Sequence, residues 1–153
     1  MFLRLAVALV LGALLGLERE LVGKEAGIRT EMLVAGGAAI FTMVGLALPY
    51  IITANTGNVA SVINGNSGFL QVIANIVVGI GFLGAGLIIK TGDRARGITT
   101  AALVWTTAAI GVMVGIGMME FAVVAAVFIT VLLYLLRKLD IADQEKMLQE
   151  NSR

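Results

Sequence analysis

The chain has 153 residues, of which 59% are hydrophobic and only 14% charged, and it contains 19 glycines and neither cysteine nor histidine. A soluble domain carries about a quarter of its residues charged, so this sequence lacks the polar surface of a globule, and its mean hydropathy of +0.99 describes a membrane protein. The missing residue types exclude a disulfide framework, a thiolate zinc site and a cysteine nucleophile, and they remove the commonest metal ligand and general base.

A hydrocarbon core about 30 Å thick takes about 20 mostly apolar residues of helix. The first such stretch, Phe2 to Val22, is interrupted by Arg4 and closes in Glu18-Arg19-Glu20, whose side chains reach headgroups by snorkelling. Because a charged cluster rather than a small-residue cleavage site follows, it reads as a span and not as a removed signal peptide. Met32 to Ile52 is the second span, with Thr42 as its strongly polar side chain. Phe69 to Ile89 is the third and carries Gln71 and Asn75. Ile98 to Leu136 is too long for one crossing, and Gly115, Gly117 and Glu120 near its middle divide it into Ile98 to Met119 and Phe121 to Leu136, joined by a tight hairpin. All five runs are continuously apolar, whereas barrel strands alternate and are about half as long. The predicted fold is all-α: a polytopic membrane domain of five transmembrane helices over residues 1–136, then a short charged tail over 137–153. No soluble domain is expected after it.

Orientation follows from lysine and arginine. Arg19, Lys24 and Arg29 follow span one, Lys90, Arg94 and Arg96 follow span three, and Arg137, Lys138, Lys146 and Arg153 lie in the tail, which puts ten of the 11 basic residues on one side. The loop from Thr53 to Gly68 has no charge and the hairpin has only Glu120. The N-terminus is therefore expected outside and the C-terminus in the cytoplasm. A four- or six-span count would place basic clusters on both sides.

The glycines fall in stripes. At about 100° per residue, Ala8, Gly12, Gly16 and Arg19 share one face of span one, Gln71, Asn75, Gly79, Phe82 and Gly86 one face of span three, and Thr100, Thr107, Gly111 and Gly115 one face of span four. Small residues at such spacing let helix backbones approach closely in lipid. Gly12, Gly16, Gly79, Gly81, Gly84, Gly86, Gly111 and Gly115 are therefore expected at helix contacts, and the glycine-free fifth span at the lipid boundary. Gly79-Ile80-Gly81-Phe82-Leu83-Gly84 also matches the G-x-G-x-x-G nucleotide fingerprint, but that motif works only where a strand turns into a helix. Inside an apolar span it reads as close packing or a locally broken helix.

The remaining polar residues gather at the cytoplasmic boundary: Glu18, Arg19, Arg29 and Thr30 from the first two spans, and Asp93, Arg96, Thr99 and Thr100 from the next pair. One reading is structural, with carboxylate–arginine pairs tying the loops and the excess basic charge resting on anionic headgroups. The other is a polar mouth for a hydrated cation, with Glu18, Glu31 and Asp93 as the oxygen ligands that Mg²⁺ would favour. Deeper in the membrane the strongly polar side chains of spans two to four are only Thr42, Gln71, Asn75, Thr106 and Thr107, and no ionisable residue sits at mid-bilayer where proton relays place one. Asn75 is expected to hydrogen-bond between helices.

Four segments in order carry a resemblance: Gly12-Ala13-Leu14-Leu15-Gly16-Leu17-Glu18-Arg19-Glu20, then Gly27-Ile28-Arg29-Thr30, then Gly79-Ile80-Gly81-Phe82-Leu83-Gly84-Ala85-Gly86, then Arg96-Gly97-Ile98-Thr99-Thr100-Ala101-Ala102 with Trp105. Over about Leu9 to Gly117 they resemble the transmembrane domain of the MgtC/SapB family. The resemblance implies a multi-pass protein of the bacterial inner membrane linked to growth under low magnesium and, in pathogens, to virulence. Family members often carry an acidic residue and an arginine before span three and a glutamine inside it, where Gly68, Gln71 and Asn75 stand here. Longer members add a cytoplasmic regulatory domain, which is not expected in this chain. Two functions remain open. One is a non-enzymatic regulator that works through protein contacts, as a homo-oligomer (a dimer first) or with other inner-membrane proteins. The other is a small passive carrier of Mg²⁺ or another cation. No resident cofactor and no nucleic-acid partner is expected.

Overall fold

With no water to bond exposed amides, an apolar chain in lipid satisfies its backbone within helices, and the long apolar runs here do so. The computed structural model describes residues 1–53, 68–91 and 94–151. Its elements are α1 (Phe2–Leu21), α2 (Ile28–Thr53), α3 (Gly68–Leu87), a small hairpin of β1 (Ile89–Thr91) and β2 (Arg94–Arg96), α4 (Ile98–Ile116) and α5 (Met119–Asn151).

Three helices form the core. Leu11 and Leu15 of α1, Ala35, Ala39 and Met43 of α2, and Leu103, Ile110 and Val114 of α4 pack together, joined by Ala122 and Ala126 of α5. A second cluster joins Val34 and Ala38 of α2 to Val104 and Ala108 of α4, with Ile76 and Ile80 of α3 laid against it. Most of the outward surface of α3 and α5 is exposed. The expected lipid-facing position of the last helix fits this arrangement, but α3 shares it.

Among the described residues four helices are long and apolar enough to cross a membrane, over Ile28–Ile51, Leu70–Leu87, Ile98–Ile116 and Met119–Leu139. The first helix, expected as the first of five spans, is not among them: its 20 residues include Arg4, Glu18, Arg19 and Glu20. Two of those charges nevertheless mark its extent. The Arg4 guanidinium donates to the Gly115 carbonyl at 2.9 Å, where the C-terminal end of a helix favours a cation. At the other end Arg19 donates to the Thr100 hydroxyl at 3.0 Å. Thus α1 runs alongside α4 for nearly its full length, and Arg4 caps its neighbour.

The turn between α4 and α5 forms where the hairpin was predicted, on Gly117 at φ +103°. The last helix does not stop at Leu136. Its apolar part reaches Leu139 and the helix runs on to Asn151, because the tail is built largely from strong helix formers. The hairpin of β1 and β2 was not predicted. It pairs Ile89 with Arg96 and Thr91 with Arg94 around two intervening residues, and Gly92-Asp93 is a two-residue turn signal. Gly97 follows at φ +84°, where a Cβ would overlap the Leu87 carbonyl, so only glycine fits the entry to α4.

Candidate functional site

The glycine stripes of α1 and α4 both close on α2. A Cβ on Gly12 would lie 2.5 Å from the Glu31 carbonyl oxygen, and one on Gly16 would lie 2.6 Å from the Ile28 Cα. Further along α2 a Cβ on Gly111 would overlap the Ala35 carbonyl, and one on Gly115 would lie 2.6 Å from the Thr42 Cβ. Both pairs of helices touch backbone to backbone, which is the use of small residues expected in lipid.

This approach traps a polar cluster between α1, α2 and α4. Glu18, Arg19, Thr100, Thr107 and Glu31 are all buried, Glu31 and Thr107 completely. Arg19 lies 3.7 Å from the Glu18 carboxylate and holds Thr100 with its other terminal nitrogen. Thr107 and Arg19 face the Glu31 carboxylate, yet neither Glu31 oxygen completes a hydrogen bond, and Glu18 Oε2, Arg19 Nε and the Thr107 hydroxyl are also left over. One guanidinium thus stands among two buried carboxylates. Removing that guanidinium would leave an uncompensated buried charge, which costs several kcal/mol.

Of the eight polar residues expected together, three meet here: Glu18, Arg19 and Thr100. Arg29, Arg96 and Thr99 are exposed and Thr30 is half-buried, while Asp93 lies outside the described residues. Glu20 instead ties the loop, accepting the Ile28 amide at 2.9 Å. Glu31, expected as a surface oxygen ligand, and Thr107, expected on the glycine stripe of α4, complete the cluster. Their signal was present: Glu31 heads a face of α2 that continues through Ala35, Ala38, Ala39 and Thr42, and Thr107 heads the Gly111–Gly115 stripe that packs on it. The cluster does not fit hydrated Mg²⁺. That ion keeps several waters, whereas Glu31 is wholly enclosed and a guanidinium already lies beside Glu18. Among the described residues no group of three or more acidic side chains could hold a metal.

The deep hydroxyls of Thr42 and Thr106 bond back to the Ala38 and Ala102 carbonyls at 2.7 and 2.8 Å, the local solution open to threonine in a helix.

The third stripe departs from expectation. Gly84 is buried against Ala101, but a Cβ on Gly79, Gly81 or Gly86 would meet nothing within 4 Å. These three glycines are therefore not at contacts among the described residues. Asn75 does not bridge helices either: it accepts a hydrogen bond from Gln71 at 3.1 Å along the same exposed face. The physical reason is that α3 leans on α4 through Ile76, Ile80 and Gly84, and so turns the Gln71–Gly86 stripe outward. The fingerprint-like run Gly79 to Gly84 is helical throughout, so no strand-to-helix turn exists there to receive a pyrophosphate.

The MgtC family matches residues 5–141, wider than the four motifs alone. Protein MgtC of Brucella suis is 44% identical over 135 residues, which cover 88% of this chain and 50% of that protein. Protein MgtC of Salmonella typhimurium is 40% identical over 136 residues, covering 89% and 52%. The chain thus spans about half the length of the curated relatives it matches. No solved structure matches it. With α2 to α4 and most of α1 and α5 inside the matched region and four helices able to cross a bilayer, the chain belongs to the MgtC family and is a multi-pass inner-membrane protein.

Proposed function

We propose that this protein serves magnesium homeostasis as a non-enzymatic membrane component that works through helix contacts, as a homodimer or with another inner-membrane protein. The magnesium link rests on the family resemblance. The observation that carries the contact reading is the outer face of α3. Gly81 and Gly86 are open there and flank Phe82, which is 84% exposed. Gly12 and Gly16 of α1 and Gly111 and Gly115 of α4 are used inside the chain, whereas Gly81 and Gly86 of α3 are free to seat a further helix. Five helices cross, with the N-terminus outside and the C-terminus in the cytoplasm. Support comes from the length of α1, which matches the crossing helix α4 end to end, and from the ten basic residues on one side.

The second reading, a passive cation route, draws on the orphaned Glu31 oxygens. Against it, the cluster is enclosed, and two cavities among the described residues are lined mainly by aliphatic side chains rather than by its carboxylates.

The cysteine-free sequence makes the contact reading measurable with single cysteines in bacterial membranes. Phe82→Cys is expected to form a disulfide-linked dimer or to capture a second membrane protein, and Gly86→Leu in the same chain to abolish it. Met118→Cys should react with an impermeant maleimide applied outside, and Lys24→Cys should not. A Phe82→Cys chain that stays monomeric and uncaptured, or labelling with the opposite sidedness, would refute the respective claim.

A further inference from the structure

Between α2 and α3 lies a groove of ≈ 790 Å³, lined on one wall by Leu33, Gly37 and Phe41 and on the other by Val72, Gly79 and Leu83. At one end the two helices meet, where a Cβ on Gly45 would lie 3.1 Å from the Val72 side chain. At the other end stand Arg29 and Thr30. Gly37 and Gly79 face each other across the groove, and a Cβ on either would meet nothing within 4 Å. The width of the groove is therefore set by two absent side chains.

We infer that this groove holds an acyl chain of an anionic phospholipid, with the lipid phosphate against Arg29 and Thr30. Three observations choose this occupant. First, from Arg29 to Phe41 the groove follows twelve residues of helix, about 18 Å at about 1.5 Å per residue, close to the roughly 15 Å depth of one leaflet's hydrocarbon. A further transmembrane helix needs the full bilayer thickness, and the Gly45–Val72 contact closes the groove before that. Second, the one charged lining residue, Arg29, stands at one end and the walls are otherwise apolar apart from Thr30 beside it and Asn75, matching a molecule with a single charged end. Third, Arg29 is exposed and makes no ion pair or hydrogen bond among the described residues, and its planar donor fork suits a phosphate. Basic pockets between spans on the cytoplasmic side are where acidic headgroups bind. The groove lies beside the Phe82–Gly86 face of α3, and neither Phe82 nor Gly86 lines it.

The test is native mass spectrometry of the full chain in a neutral detergent, offered phosphatidylglycerol and phosphatidylcholine in equal amounts. The wild type should retain phosphatidylglycerol over phosphatidylcholine by about fivefold, the worth of one well-placed basic residue. Arg29→Gln should abolish the preference. Gly37→Leu, which fills the groove, should reduce retention of both lipids, and Arg96→Gln, a basic residue away from it, should change neither. Equal retention of the two lipids by the wild type, or a preference that survives Arg29→Gln, overturns the proposal. So does displacement of phosphatidylglycerol by inorganic phosphate alone, which would assign the site to a free anion. Loss of a dimer in Gly37→Leu would give the groove to a second copy and equally overturn it. Arg29→Gln changes an exposed side chain and keeps the test decisive where Gly37→Leu fails to fold.

Discussion

Gly12→Ala and Gly111→Ala are expected to lower the melting temperature of the purified protein, and Gly81→Ala and Gly86→Ala to raise it or leave it unchanged. In an exposed helix, replacing glycine by alanine is favourable by up to about 1 kcal/mol, because the backbone loses less freedom on folding. The sign reverses where the new Cβ has no room. At Gly12 it would sit 2.5 Å from a carbonyl oxygen of α2, and at Gly111 it would overlap another. The obstacle is backbone rather than the end of a flexible side chain, so α1 or α4 must move away from α2 and open the Leu11–Leu15–Ile110 core. Overpacking of this kind costs about 1–3 kcal/mol and occasionally more. Thermal unfolding in detergent, followed by circular dichroism and size-exclusion chromatography, measures both signs in one series. All four variants shifting the same way would contradict the packing described here.

Arg19→Leu is expected to be more damaging still. It removes the one cation among two buried carboxylates and leaves Glu18, Glu31 and the Thr100 hydroxyl without it. Breaking a buried pair from one side costs about 3–5 kcal/mol, mostly from the charge left behind, whereas removing all the charges is often nearly neutral. Glu18→Gln and Glu31→Gln should therefore rescue Arg19→Leu in part, and the combined variant should melt closer to the wild type than Arg19→Leu does. The same melting series reads this out. An Arg19→Leu protein as stable as the wild type would mean that the carboxylates do not depend on the guanidinium.

Much of this was legible in the sequence because lipid simplifies the physics. An apolar run of about 20 residues has one stable local structure there, so α2, α3, α4 and the start of α5 fall where hydropathy puts them. The stripes Gly12–Gly16 and Gly111–Gly115 were legible for a related reason: glycine on one face of a membrane helix has few uses other than close approach. The same rule misplaced Gly79, Gly81 and Gly86, because periodicity tells which residues share a face and not which way that face turns. Tertiary packing through Ile76, Ile80 and Gly84 decided it. The polar site was half legible. Residues close to a boundary in sequence, such as Arg29 and Thr99, look equivalent to Glu18 and Thr100, and only the helix rotation separates the exposed from the buried. Glu31 was read as a surface ligand because it opens a span, yet the tight Gly12 contact draws its start inward. The small hairpin of β1 and β2 was missed because a long hydropathy window averages over three-residue strands.

On the contact reading the enclosed Glu18–Arg19–Glu31 cluster holds helices together and does not pass ions. Mg²⁺ entry into liposomes that carry the purified full chain, read with a dye trapped inside, tests it. The expected result is a rate equal to that of protein-free vesicles. Entry above that rate, abolished by Glu18→Ala or Glu31→Ala, would contradict this reading and establish the passive route instead.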